Sequence, residues 1–232
     1  GFRFNLHAIY HLMAEKMPAW KDLDLASLGV RYIYPQVVAA FPFKDGSSLI
    51  FTRDPQETAE SIAQFSKADA AAYLHMWEEF QPMLDDYLIP MTYELPKPAL
   101  DQLSEFGETE VGAKLAEISE MSCLEVIDHY GFQHPRVRMA LLSFPAIWGI
   151  HLADPLGFLY PLYLCRMMDA AFVKGGSHRL SSAIYRSFVR SGGQVIDENE
   201  VTKILTENNR VQGVQLQDGR KFFADAVIST LN

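Results

Sequence analysis

His7 and His11 stand four residues apart, a spacing that sets two imidazoles on one face of a helix, as metal sites require. No carboxylate or third histidine completes a set, and Phe2, Phe4 and Tyr10 surround the pair, so a packing role is expected and no metal. Cys123 and Cys165 are far apart and lack CxxC spacing, which fits two buried thiols in a reducing, cytoplasmic setting. Gly175-Gly176-Ser177-His178-Arg179 opens a helical stretch where an anion could sit; a tight entry turn with water-facing side chains explains the same residues. There is no GxSxG, no HExxH and no cysteine–histidine signature, so hydrolysis by a protein nucleophile is not expected, and pattern alone marks no catalytic side chain. The densest aromatic stretch, residues 144–168, carries Trp148, Phe158, Tyr160 and Tyr163 with Met167 and Met168. Such residues line tunnels for long apolar molecules and also build ordinary cores.

The elements that must position these residues are legible in outline. The chain has 232 residues, 49% of them hydrophobic, enough for one large domain or a domain and a half. A net charge of −9 with no basic stripe excludes a surface that tracks nucleic-acid phosphates. The most apolar stretch, residues 140–164, is broken by His151, Asp154 and three prolines, so no membrane span is expected. Residues 30–52 read as strands around a Lys44-Asp45-Gly46 turn. Helices should open at Asp54-Pro55 and at Ser66 with Asp69 near the capping-box position, and run over 108–118, 122–129 and 135–142. A helix over 177–190, with Leu180, Ile184 and Phe188 on one face, precedes strands at 194–197, 201–204, 211–216 and 221–228. The chain's first residues lack the profile of a signal peptide, and its last, Ala226-Val227-Ile228-Ser229-Thr230-Leu231-Asn232, read as a buried strand with nothing to pack upon it. A piece of a longer protein is therefore expected.

Several of these segments together resemble a known family. Gly175-Gly176-Ser177-His178-Arg179-Leu180, then Gly192-Gly193-Gln194-Val195, Val201-Thr202-Lys203-Ile204, Gly213-Val214-Gln215-Leu216, Asp218-Gly219 and Ala224-Asp225-Ala226-Val227-Ile228-Ser229 are similar to the FAD-dependent oxidoreductases of the phytoene desaturase and carotenoid isomerase type. Gly1-Phe2-Arg3-Phe4, the segment from Leu23 to Gly29, Pro42 with Asp45-Gly46, and Arg53-Asp54 resemble the phytoene-dehydrogenase-related branch.

The resemblance implies an α+β fold. Residues 1–174 would form a substrate-binding domain with a small, mostly antiparallel sheet and a helical layer. Residues 175–232 would form part of an FAD-binding, Rossmann-like domain with a β-meander. It implies that Val201 meets the adenine of FAD through its backbone, and that Ser229 and Thr230 end a strand at the dinucleotide crevice. Asn5 would lie in a stretch passing close to the flavin ring, where the family often has aspartate. The substrate would be an apolar, polyprenoid-like small molecule walled by Trp148, Phe158, Tyr160 and Tyr163, exchanging hydride with FAD, with peripheral membrane contact left open. The glycine fingerprint GxGxxG is absent from these residues, so this chain by itself is expected to hold FAD poorly and to be inactive. An amine-oxidase-like flavoenzyme and a non-enzymatic binding or assembly module are the alternatives; two aromatic rings caging a substrate would favour the first.

Overall fold

The structure is a computed structural model in which residues 7–230 are described. The chain divides into two compact units between Ser187 and Phe188.

The first unit begins with two short strands, β1 (His11–Leu12) and, after α1 (Pro18–Asp22), β2 (Tyr32–Ile33). Their partner comes from far along the chain: β5 (Ala170–Val173) lies between them, antiparallel to both, with His11 opposite Ala171 and Tyr32 opposite Val173. Between β2 and β5 the chain forms the hairpin β3 (Val37–Pro42) and β4 (Ser48–Thr52), then a helical layer. The hairpin turn is the expected one: Gly46 takes φ +85, and the Asp45 carboxylate accepts from the Ser47 N–H.

Helix α2 (Pro55–Ala63) starts where Asp54 accepts from the Gln56 N–H at 2.8 Å, and Pro55 has no amide to leave unpaired. At α3 (Lys67–Met83) the cap is reciprocal in part. Ser66 accepts from the Asp69 N–H at 3.1 Å and donates its hydroxyl to the Asp69 carboxylate at 2.9 Å. That carboxylate is fully buried and also accepts the backbone N–H groups of Gln133 and His134, at 3.2 and 2.9 Å. It therefore ties the start of α3 to a loop more than sixty residues away. A π-helical turn, Leu84–Leu88, continues into α4 (Ile89–Tyr93), followed by α5 (Ala99–Phe106) and α6 (Glu110–Ser119). The Ser122–Glu125 capping box opens α7 (Cys123–His129), and α8 (Pro135–Ala146) and α9 (Leu159–Met168) complete the layer.

The hairpin packs its inner face on these helices. Phe51 of β4 meets Phe144 edge-on at 5.0 Å, and Phe80 meets Tyr130 and Tyr160 edge-on at 5.5 and 5.8 Å. Both cysteines lie in this core, where burial pushes Cys123 up to about 11 and Cys165 higher still, so neither is a reactive thiolate at neutral pH. At the core's edge, Glu79 accepts from Lys114 at 2.6 Å and from the Tyr130 hydroxyl at 2.7 Å. Burial alone would raise this carboxyl, but the two hydrogen bonds and the Lys114 charge outweigh it and hold it below its ordinary 4.5. Its contribution to stability is thus complete above pH 4.5 and is lost as pH falls through the lower folded-state value. Glu79→Gln should flatten the acid limb of a plot of urea midpoint against pH; an acid limb identical to the wild type would contradict this account.

Helix α10 (His178–Arg190) runs from the first unit into the second. Its first half belongs with a small separate cluster in which Leu180 and Ala183 pack with Leu25, Leu28, Val30 and Val173. The first compact unit accordingly extends to Ser187.

The second unit is a meander, β6 (Val201–Glu207), β7 (Arg210–Leu216) and β8 (Lys221–Phe223), all antiparallel. Asn208 and Asn209, at φ +48 and +60, form the two-residue turn that matches strand twist, and Gly219 at φ +88 makes the next turn. Two expected strands are corrected. Residues 194–197 and the stretch from 225 to 230 form no strand among the described residues, although both are rich in β-branched side chains. A strand needs a neighbour that runs alongside it, and neither segment lies in register with an edge of this sheet. Val195, Ile196 and Ile228 are left exposed instead.

Candidate functional site

Two concave features stand out, one in each unit. In the first unit a groove with a volume of about 470 Å³ is lined by His7, Ala8, Ile9, Tyr10, Leu12, Trp148 and Arg166. Helix α8 carries Trp148 to it: the helix ends at Ala146, the Trp148 N–H bonds back to the Pro145 carbonyl at 3.1 Å, and Gly149 at φ +80 reverses the chain. Trp148 is then 42% exposed, with its ring stacked on Tyr163 at 6.0 Å and 27°. Tyr163 and Arg166 sit three residues apart on α9 and so share a face, while Tyr160, Leu164 and Met168 are buried. The Nε of Arg166 is buried without a hydrogen-bond partner.

A second, smaller cleft of about 160 Å³ in the same unit differs in kind. Its cations are already matched: Arg53 pairs with Asp169 at 3.2 Å and lies over the Tyr34 ring at 4.1 Å, and Lys16 pairs with Asp85 at 3.4 Å. Tyr34 in turn donates to Glu15. Charges that satisfy one another in this way leave little for a ligand.

In the second unit a cleft of about 360 Å³, in the size range of small-molecule sites, is lined by Glu200, Val201, Ile204, Val214, Val227, Ile228, Ser229 and Thr230. Its walls are mostly valine and isoleucine, from β6, β7 and residues 227–228, with Glu200 and two hydroxyl residues completing the lining. A flat, largely apolar ring fits such walls, and the backbone of an edge strand can give it hydrogen bonds without any specific side chain. A phosphate cradle of glycine amides is not among these residues.

The structure thus brings Val201, Ser229 and Thr230, singled out from the sequence, into one cleft, whereas Asn5 lies outside the described residues. Of the four aromatic residues singled out for substrate, Trp148 lines the groove and Tyr163 stacks behind it. Phe158 is half-buried against the main core, and Tyr160 is completely buried, its hydroxyl without a partner. His11 is not on a helix. It sits in β1, where Nδ1 lies 2.9 Å from the Tyr32 hydroxyl and burial lowers its pKa, which gives it the expected packing role. Arg166 and the Ile9–Tyr10 wall were not foreseen; the one signal for Arg166 was its position three residues after Tyr163 in an aromatic stretch. No group of three His, Cys, Asp or Glu side chains among the described residues is placed to hold a metal ion.

Comparison with known proteins accords with this arrangement. The family model described as flavin containing amine oxidoreductase matches residues 38–232. A component of the limonene dehydrogenase of Castellaniella defragrans is 38% identical over 220 residues, covering 93% of this chain and 40% of the relative. Hydroxyneurosporene desaturase of Cereibacter sphaeroides is 24% identical over 79% of this chain and 37% of the relative. Pyridine nucleotide-disulfide oxidoreductase domain-containing protein 2 of Rattus norvegicus is 27% identical over 99% of this chain and 45% of the relative. The chain therefore spans less than half the length of these curated relatives. With the match running through Trp148, Arg166 and the whole of the second unit's cleft, the chain belongs to the flavin containing amine oxidoreductase family.

Proposed function

We propose that the protein to which this chain belongs is an FAD-dependent oxidoreductase that dehydrogenates, saturates or isomerises an apolar, terpenoid- or polyene-like molecule. In this reading residues 1–174 serve the substrate and residues 175–232 serve the cofactor, in the cytoplasm or at a membrane surface. No helix among the described residues is long and apolar enough to cross a membrane. The groove formed by Ile9, Tyr10, Leu12 and Trp148 is the observation that carries the reading, since its walls suit an apolar body. Its lining includes His7, which by resemblance belongs to a stretch that passes the flavin ring. The valine-lined cleft takes the adenine, with Val201 offering backbone groups and Ser229 and Thr230 at its side. Bound FAD would supply the two-electron acceptor for hydride exchange.

The family's name raises an amine substrate as the second reading. Two features of the groove speak against it. Trp148 and Tyr163 stack on each other and leave no space for a substrate between the rings. Arg166 places a positive charge where a protonated amine would have to enter.

The test uses the complete protein. It should purify with a visible flavin absorbance band, which an apolar polyene or terpene bleaches in the absence of oxygen. Val201→Asp puts a carboxylate on the wall of the cleft and should lower flavin retention after gel filtration by about tenfold or more, while Val201→Ile should not, since a bound ring would cover the charge without giving it a partner. A complete protein that stays colourless after added FAD would sink the oxidoreductase reading in favour of a binding module.

A further inference from the structure

We propose that Arg166 reads an oxyanion: the groove's ligand is an apolar molecule that carries a carboxylate or phosphate group. This rests on the groove being the substrate site, and it narrows the class of substrate.

The Arg166 side chain makes no ion pair and no hydrogen bond with any described residue, and its Nε is buried. The other partly buried arginines of this unit are not left so. Arg53 holds Asp169, Arg136 holds Asp45 at 2.8 Å, and Arg138 holds Asp128 at 2.6 Å. A guanidinium cannot shed its proton to escape the cost of burial, so a donor left unmatched there is a standing penalty. None of the described residues lining the groove is acidic, so no carboxylate among them competes for it. Its other walls are His7, Ala8, Ile9, Tyr10, Leu12 and Trp148, a mostly apolar set that favours an apolar body over a small free anion. A planar fork of N–H donors beside such walls matches two oxygens of a carboxylate or phosphate, with the apolar remainder lying against the aromatic rings. The matched cations of the neighbouring cleft show what Arg166 lacks. A ligand carboxylate or phosphate supplies an acceptor to the guanidinium where Arg166 lines the groove, whereas a pure hydrocarbon supplies none.

The test measures binding of three probes to the complete, flavin-loaded protein: pyrene-labelled dodecanoic acid, its methyl ester, and the monophosphate of the corresponding alcohol. Hydrogen bonds to a charged group predict that the acid or the phosphate binds about tenfold to a hundredfold more tightly than the ester. Whichever of the two anions binds more tightly identifies the head group. Arg166→Gln should abolish the preference while leaving ester affinity and flavin content as they were. Arg166→Lys keeps the charge without the fork and should retain part of it. Equal affinity for all three probes in the wild type would overturn the proposal, as would an Arg166→Gln variant that loses acid and ester binding alike. Loss of flavin from that variant would assign the arginine to the cofactor instead. A protein without flavin defeats the oxidoreductase reading, yet the acid-over-ester comparison still decides the role of Arg166.

Discussion

Asp69→Ala should unfold the protein at a much lower denaturant concentration than the wild type, with a loss of about 3–5 kcal/mol, the range for removing one partner from a buried charged network. The carboxylate has no exposure to water and is held by the Ser66 hydroxyl and by two backbone N–H groups from the loop before α8. Without it those donors stay buried with no acceptor, at about 1–3 kcal/mol for each group that water cannot reach. Asp69→Asn keeps one carbonyl oxygen in place and should lose clearly less. Ser66→Ala removes the helix cap alone and should cost about 1 kcal/mol. The order Ala, then Asn, then the Ser66 variant in urea midpoints separates this network from a simple loss of packed volume. If Asp69→Ala unfolds within about 1 kcal/mol of the wild type, the loop amides have found another acceptor and the network is not what joins α3 to α8.

Gly157→Ala should be nearly as damaging for a purely steric reason. A Cβ at this position would lie 2.3 Å from the Ile118 carbonyl oxygen and 2.7 Å from that of Met121, and both are main-chain atoms that cannot swing aside. The Gly157 N–H already donates to Met121 at 2.7 Å, so the approach is also a hydrogen bond. Inserting a methyl into such a contact costs about 1–3 kcal/mol and forces the backbone to shift. Because Gly157 leads into α9, the shift should reach Tyr163 and Arg166 and weaken the groove as well as the fold. Gly149→Ala provides the control: nothing lies within 4 Å of its Cβ position, so only the left-handed backbone at φ +80 is penalised, by about 1–2 kcal/mol. Thermal unfolding of both variants, with probe binding to the complete protein, tests the difference. Equal losses would mean that the close approach to Ile118 and Met121 does not matter.

What could be read from the sequence was what local physics decides. Asp54-Pro55, Ser66 with Asp69, Ser122 with Glu125, Asp45-Gly46 and Asn208-Asn209 each fix a helix start or a turn with atoms a few residues apart, and each stands where it was expected. The β6–β7 hairpin was legible for the same reason. Strands depend on distant partners, which is why residues 194–197 looked like a strand on composition and are not one among the described residues. The site was legible in part. Val201 with Ser229 and Thr230 came from the resemblance, and Trp148 came from the aromatic stretch. Tyr160 and Tyr163 look alike in sequence, yet one is inside the core and the other stacks behind the groove. Arg166 escaped notice because lacking a partner is a property of three dimensions, with no counterpart in residue type.

The placement of β5 between β1 and β2 also bears on how the chain is made. His11 and Tyr32 emerge early from the ribosome, whereas Ala171 and Val173, opposite them in the sheet, follow only after the whole helical layer has been synthesised. Contacts so far apart in sequence close late and slow folding. Until then the two N-terminal strands have no ladder to join, while the β3–β4 hairpin and the helices after it can already associate. The segment that builds one wall of the groove is thus translated before its sheet partner and locked only after it, and until then its apolar side chains are available to chaperones.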